Sequence, residues 1–194
     1  MSIEALRLER ETLLRLEAEN RSFAEAMVNG YDHEQIRARF RAWHYAFTQA
    51  ERIQYAVHEA GHAVVGEVLG FQPERVEISA REPQEGGSPR LEYGRVISPY
   101  YSTVRFRNAV LYAAGPVAEE LVTGILSTPR VGDSDMNKIE AILPARRVRT
   151  AFAFARKYTA ANHPVISRVA CELLVKDYLN REDLLRIFYP HRAS

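Results

Sequence analysis

The residues most able to do chemistry in this chain are His58, Glu59 and His62, which form the pattern H-E-x-x-H. On a helix, residues four apart lie one turn above each other on the same face, so the two imidazoles could bind one zinc ion. Glu59 borders the same site and could take a proton from a zinc-activated water and later pass it to a leaving amine. The pattern therefore predicts zinc-dependent hydrolysis of peptide bonds with Glu59 as general base.

The residues around this pattern favour a metal site over a purely structural role for the histidines. Tyr55, Ala56 and Val64 make the segment apolar, so the helix should be buried. The alternative is that both histidines are core residues satisfied by hydrogen bonds. One shared metal explains two buried imidazoles at helical spacing more simply. Small residues such as Gly61 leave room for a close neighbour.

A catalytic zinc site needs a third protein ligand and an open position. The residue pattern alone leaves several carboxylates as candidates for that ligand. Glu119 and Glu120 lie on an apolar helical face, and Asp135 lies just inside the start of a later predicted helix. Asp133 or Ser134 is well placed to cap that helix, which would leave Asp135 free to face a metal.

Composition excludes several other classes of protein. The 194 residues are the size of one domain, or of one domain with an appendage. Lys and Arg total 26 against 25 Asp and Glu, so the net charge of +1 gives no reason to expect a nucleic-acid partner. Cys171 is the only cysteine, which excludes a disulfide framework and a zinc site built from several thiolates.

Three further absences in the sequence bear on location and energy source. None of the ten glycines is followed by Lys, so the phosphate loop G-x-x-x-x-G-K-[ST] of ATP-driven machines is missing. There is no apolar run of 18 residues that could span a bilayer. The N-terminus is charged from Glu4 onward and lacks the apolar stretch of a secretory signal. We therefore expect a cytoplasmic protein without a membrane span.

Hydrophobic periodicity predicts a mainly α fold with a small β hairpin, an α+β class with a helical C-terminal half. The pattern Arg75-Val-Glu-Ile-Ser79 and the segment 93–97 are the two predicted strands, joined by a long loop. Predicted helices cover 2–28, a segment capped by Asp32, 50–69, 102–126, 133–160 with a break or bend at Pro144, 164–178 and 181–188.

The first 49 residues form a helical extension in this interpretation, and 50–194 form a zinc peptidase-like domain. Leu6, Leu13, Asn20 and Met27 are spaced by seven, which is a partial coiled-coil seam. The segment 2–28 is then either a surface helix packed on its own domain or a surface for homo-oligomerisation or partner docking.

Five segments in order give the chain a family resemblance over about residues 50 to 188. HEAGHAVVGEVLG resembles the metal-binding helix of the FtsH-type zinc peptidases, the proteolytic half of the membrane-bound AAA proteases. ERVEIS follows it, as a strand does in that family. LYAAGPVAEELVTG resembles the family's "GGR-x-AEE" helix, although Ala114 and Pro116 stand where the family has Gly and Arg. VGDSDMNKIEAIL resembles the stretch that supplies its third zinc ligand, and RVACELLVKDYLNREDLLRI resembles its closing helices.

The resemblance implies a specific set of site residues. His58, His62 and Asp135 would bind Zn²⁺, and Glu59 would be the general base. Asp133 is the second choice for the third ligand, because the spacing around it differs from the family's by about one residue.

The resemblance also implies roles around the metal. Glu120 matches the second acid of the AEE segment and would orient a zinc-ligating histidine, the alternative being a salt bridge with an arginine. One of the two strands, 75–79 or 93–97, resembles the edge on which the family holds an extended peptide.

The sequence thus predicts an ATP-independent zinc endopeptidase that cleaves extended or unfolded polypeptides. One alternative is a non-catalytic zinc-binding adaptor or regulatory module of the same fold, although the intact Glu59 argues against it. Another is a regulatory protease of the ImmA/IrrE type, which shares H-E-x-x-H but for which a glutamate third ligand is expected.

Overall fold

The structure, a computed structural model, describes residues 2–27, 33–80, 91–97, 104–125 and 134–192, with side chains over 2–19, 49–78, 104–125 and 135–191. The fold is mainly helical with a small antiparallel sheet, which confirms the predicted fold class. Its elements are α1 (Ile3–Met27), α2 (His33–Val68), β1 (Arg75–Ala80), β2 (Leu91–Ile97), α3 (Arg105–Thr123), α4 (Ser134–Ile142), α5 (Ala145–Lys176), β3 (Tyr178–Asn180), α6 (Arg181–Phe188) and a short 3₁₀ turn (Pro190–Arg192).

Helix α2 carries the H-E-x-x-H residues and is longer than predicted. The sequence predicts one helix after Asp32 and another from residue 50, but His33–Val68 is continuous over 36 residues. The predicted end at Gly70 is correct, because Gly70 follows the helix with a φ of +77°, which glycine adopts without strain. The expected boundary between 49 and 50 therefore falls inside a helix. The turn expected at 29–30 and the cap at Asp32 lie outside the described residues.

The sheet has the order β2-β1-β3, with both neighbours antiparallel to β1. The predicted hairpin of β1 and β2 is confirmed, and Val76 lies opposite Val96 on one side and Leu179 on the other. Val76 and Leu179 are fully buried, as the alternation of polar and apolar residues requires. Strand β3 was not predicted. Because β1 is the central strand, 75–79 is not a free edge for peptide, and 93–97 in β2 remains the candidate.

The helical C-terminal half departs from the prediction at one proline and follows it at another. The chain breaks between α4 and α5 next to Pro144, as expected. A second break before Pro164 was wrong, since α5 runs unbroken from Ala145 to Lys176. Pro164 cannot donate to the carbonyl of Ala160, but the ring Nδ1 of His163 lies 3.2 Å from that oxygen and donates in its place.

Helix α1 packs on the rest of the chain over its first half. Leu6 is fully buried in a core shared by α2, α3, α5, α6 and the sheet, and Leu13 packs partly buried against it. Leu16 is 45% exposed. The remaining seam positions, Asn20 and Met27, lie outside the described side chains, so docking or self-association through 2–28 stays a prediction.

A second core lies between α2, α3, α4 and the first half of α5, and α3 contributes to both cores. Gly61 allows α2 and α3 to lie close together, because a Cβ at this position would stand 2.5 Å from Cβ of Ala118 and 2.6 Å from the carbonyl oxygen of Ala114. The α2 and α3 backbones therefore cross in close contact. Among the helices of the described residues, none combines the length and apolarity that crossing a bilayer demands.

Candidate metal centre

Two helices bring three potential metal ligands together. His58 and His62 project from adjacent turns of α2, and Asp135 projects from the first turn of α4. Nε2 of His62 lies 3.0 Å from Oδ2 of Asp135 and 3.0 Å from Nε2 of His58, and the latter lies 3.2 Å from the same Oδ2. These three residues could hold one metal ion. The side chains are 15%, 11% and 7% exposed for His58, His62 and Asp135, so the group is recessed yet reachable from His58.

The outer nitrogens of both rings are fixed by acceptors. Nδ1 of His58 lies 2.6 Å from Oε1 of Glu119, and Nδ1 of His62 lies 2.8 Å from the carbonyl oxygen of Leu111. A carboxylate and a carbonyl only accept, so both Nδ1 atoms carry the hydrogen. Each ring can therefore turn a lone pair on Nε2 toward Asp135. Such an outer hydrogen bond is the usual way in which a protein orients a metal-ligating histidine.

The spacing of the three inner atoms fits a small tetrahedral cation. With zinc-ligand bonds of roughly 2.0–2.1 Å, tetrahedral ligand atoms stand about 3.3 Å apart. The observed separations of 3.0 to 3.2 Å are close to that value. Two imidazole lone pairs and a carboxylate oxygen all accept, so their convergence requires a cation or a proton between them.

The charges around the three atoms favour the charged forms of both His58 and Asp135. Burial works against protonation of His58, but its contacts with Asp135 and Glu119 outweigh burial and raise the pKa of His58 to about 10. Burial also opposes the charge of Asp135, yet His62, His58 and Lys138 hold the pKa of Asp135 well below its usual range. A metal ion that binds here would therefore compete with a proton for the same position.

Lys138 lies one turn after Asp135. It donates to Oδ1 of Asp135, the carboxylate oxygen that does not contact the histidines. Its Nζ is 2.8 Å from Oδ1 of Asp135 and 5.3 Å from the ring centroid of Tyr112. This leaves Oδ2 of Asp135 as the oxygen directed at the two rings. Asp135 can thus supply one oxygen to a metal while its other oxygen is held by a cation.

Glu59 is buried beside the three ligands without being one of them. It is 5% exposed, and its carboxyl feels the charges of His62, His58, Asp135 and Lys138. Burial raises the pKa of Glu59 above its usual value, and the two histidines oppose that shift. A carboxyl with a raised pKa next to a metal site is suited to accept and return a proton near neutral pH.

Gly115 of α3 forms the wall opposite the two rings. A Cβ on Gly115 would overlap Nε2 of His62 and would stand 2.5 Å from Nε2 of His58. Only a residue without a side chain leaves the space next to these nitrogens open. The space for a metal ion therefore depends on Gly115 as well as on the three potential ligands.

The structure corrects one predicted role and leaves one alternative untested. Glu119, not Glu120, lies on His58, because one residue on a helix turns the side chain by about 100°. Glu120 instead forms the salt bridge with an arginine that was the alternative for it: Nε and Nη2 of Arg156 donate to its carboxylate at 2.7 to 3.1 Å. Asp133 lies outside the described residues, whereas Asp135 is where the resemblance puts the third ligand.

These adjacent acids give a matched pair of variants. We expect Glu119→Gln to weaken zinc binding roughly 10-fold or more, because the His58 ring loses its charged acceptor. Glu120→Gln should leave zinc affinity unchanged and lower stability by no more than about 1 kcal/mol, since its partner Arg156 is 38% exposed. Competition with a zinc chelator and urea denaturation measure the two effects. Equal zinc affinity in both variants would contradict the assignment of Glu119.

The three converging residues were predicted from the sequence, whereas the groups that hold them in place were not. The spacing of Gly115 and Glu119 by four places both on one face of α3, and the spacing of Asp135 and Lys138 by three does the same on α4, so both pairs carried a signal. Nothing in the sequence marks the carbonyl of Leu111.

No protein-family model matches this chain, and no curated protein matches it significantly.

Proposed function

We propose that this chain is a zinc-dependent endopeptidase that hydrolyses extended polypeptide segments. The observation that carries the proposal is the convergence of His58, His62 and Asp135 on one point with the buried carboxyl of Glu59 beside it. A purely structural metal site has no use for such a carboxyl, and structural zinc sites are typically closed by four protein ligands. Within the described residues three ligands converge, which fits a site that keeps one position for a reactant.

In this proposal the histidines would hold the zinc ion and Glu59 would transfer protons. A bound zinc ion would supply Lewis acidity, polarising a carbonyl and lowering the pKa of a water molecule. His58 and His62 are held in the ligating tautomer by Glu119 and by the carbonyl of Leu111. Glu59 would accept the proton of the attacking water and deliver it to the departing amine nitrogen.

The recessed position of the site favours an extended substrate. Asp135 and Glu59 are both buried, so a peptide bond would have to pass below the protein surface to reach them. The surface of a folded domain is too broad for that, whereas a single extended strand is not. The edge of β2 is the surface on which such a strand could add by backbone hydrogen bonds, since within the described sheet β2 has a neighbour on one side only.

The test compares cleavage of unfolded and folded substrates. The metal-stripped chain is titrated with zinc and incubated with a casein-like unfolded protein, and with a stable folded protein before and after its denaturation. We expect cleavage that saturates near one zinc per chain, acts on the unfolded forms and is lost on chelation. Zinc binding without cleavage of any form would instead support a zinc-binding adaptor module.

A further inference from the structure

A row of polar side chains connects the N-terminal helix α1 with the metal centre. Nη2 of Arg10 donates to Oε1 of Gln54 at 3.0 Å, and Nε2 of Gln54 donates to Oε2 of Glu119 at 2.7 Å. The other oxygen of Glu119 accepts from Nδ1 of His58 at 2.6 Å. Three helices, α1, α2 and α3, thus contribute to one chain of hydrogen bonds that ends on a metal ligand.

The chemistry of each group permits only one orientation for the row. An arginine offers donors alone and an ionised carboxylate offers acceptors alone, so the amide between them must turn its oxygen to Arg10 and its nitrogen to Glu119. With Gln54 on Oε2, the oxygen Oε1 of Glu119 is the one directed at His58. Each link therefore constrains the position of the next.

Arg10 is held where its charge acts on Glu119. Leu6, one turn earlier on the same face of α1, is fully buried and anchors this part of the helix. Nε of Arg10 is itself buried, without a hydrogen-bond partner among the described residues. Burial lowers the pKa of Arg10, and the charges of Glu119 and Glu11 oppose that shift. The carboxylate that orients His58 thus interacts with a cation from α1.

We propose that Arg10 is a positioning residue of the metal centre, which acts through Gln54 and Glu119 on the orientation of the His58 ring. Helix α1 then contributes to the geometry of the metal centre and is not only an N-terminal extension. The proposal rests on the metal site of the proposed function but not on peptide hydrolysis, and it is tested by metal binding alone.

The test uses Co²⁺ as the probe, because its visible absorption reports the geometry of the ligands and its binding can be titrated. In Arg10→Met we expect Co²⁺ affinity to fall about 3- to 10-fold, less than the 10–100-fold typical of a direct partner of a ligand, together with a shifted absorption spectrum. Arg10→Lys keeps a donor and a charge and should recover most of the affinity. Arg15→Met, at an exposed position of the same helix, should match the wild type.

A double-mutant cycle separates coupling from general damage to the fold. Gln54→Leu breaks the same row, so its effect and that of Arg10→Met should combine to much less than their sum. A wild-type spectrum and affinity in Arg10→Met, or fully additive effects in the double variant, would overturn the proposal. Failure of the wild-type chain to bind Co²⁺ would overturn the metal site itself, which is a distinguishable result.

Discussion

Replacing Glu59 by Gln should abolish peptide cleavage while leaving one zinc per chain. Gln has nearly the same shape as Glu but cannot accept the proton of the attacking water, and general-base catalysis typically contributes about 10²–10⁴ in rate. Zinc should be retained because the converging ligand atoms belong to His58, His62 and Asp135. The fold should also be retained, since the change removes an ionisable group whose burial already raises its pKa. Metal analysis and the initial rate of cleavage at matched zinc content measure the two effects.

Glu51→Gln is the control for this variant. Glu51 lies on the same helix, eight residues and about 12 Å earlier, and burial likewise raises the pKa of its carboxyl. The Glu51→Gln variant should cleave the substrate at the wild-type rate. Wild-type cleavage by Glu59→Gln would exclude Glu59 as the base, and loss of activity in both variants would point to a general effect of acid substitution on α2.

Gly115→Ala should be the most damaging change to metal binding that leaves every ligand in place. Its Cβ would overlap Nε2 of both histidines, so the rings would have to move from the position that faces Asp135. We expect zinc affinity to fall by about 100-fold or more, the upper end of what changes beside a ligand produce. Overpacking costs about 1–3 kcal/mol, which the better helix propensity of Ala offsets by about 1 kcal/mol, so the metal-free chain should still fold.

The matched control is Gly66→Ala, another helical glycine with more space. A Cβ there meets Cδ1 of Leu111 at 3.3 Å and Cβ of Phe71 at 3.9 Å, contacts that a small side-chain shift relieves. Its zinc affinity should equal that of the wild type. Chelator competition and urea denaturation of the metal-free proteins give both quantities. Tight zinc binding by Gly115→Ala would mean that the metal does not lie between these rings.

The parts of the site that could be predicted from sequence are those set by local spacing. His58, Glu59 and His62 lie within five residues of one helix, so their geometry follows from the helical repeat. The strand pair was similarly local, because its alternation and turn residues lie in one stretch. Asp135 comes from a different helix, so the residue pattern made it only one of several candidate carboxylates, and the resemblance favoured it over the others.

The features that were missed depend on contacts between distant elements. The role of Glu119 rather than Glu120 follows from the rotation of α3 against α2, which the close crossing at Gly61 fixes. Helix α5 continues through Pro164, and the ring of the neighbouring His163 donates to the carbonyl that a proline leaves without a donor. Strand β3 is three residues long, too short to show alternation, and exists because β1 offers it a partner.

The position of the N-terminal helix likewise depends on contacts with distant elements. Its seven-residue spacing is typical both of a surface helix packed on its own domain and of a helix that binds an outside partner. The burial of Leu6 and the hydrogen bond from Arg10 to Gln54 connect its first half to the core formed by the other elements. The division of the chain at residue 50, drawn from sequence, therefore separates elements that share a hydrogen-bonded row.

The most direct test of the central claim is a mass-spectrometric time course of an unfolded casein-like substrate with zinc-loaded wild type and zinc-loaded Glu59→Gln. At equal zinc content, we expect the wild type to release peptides with new carboxyl and amino ends and the variant to release none. Intact substrate in both reactions, or equal cleavage in both, would contradict the assignment of this centre as a zinc peptidase with Glu59 as its base.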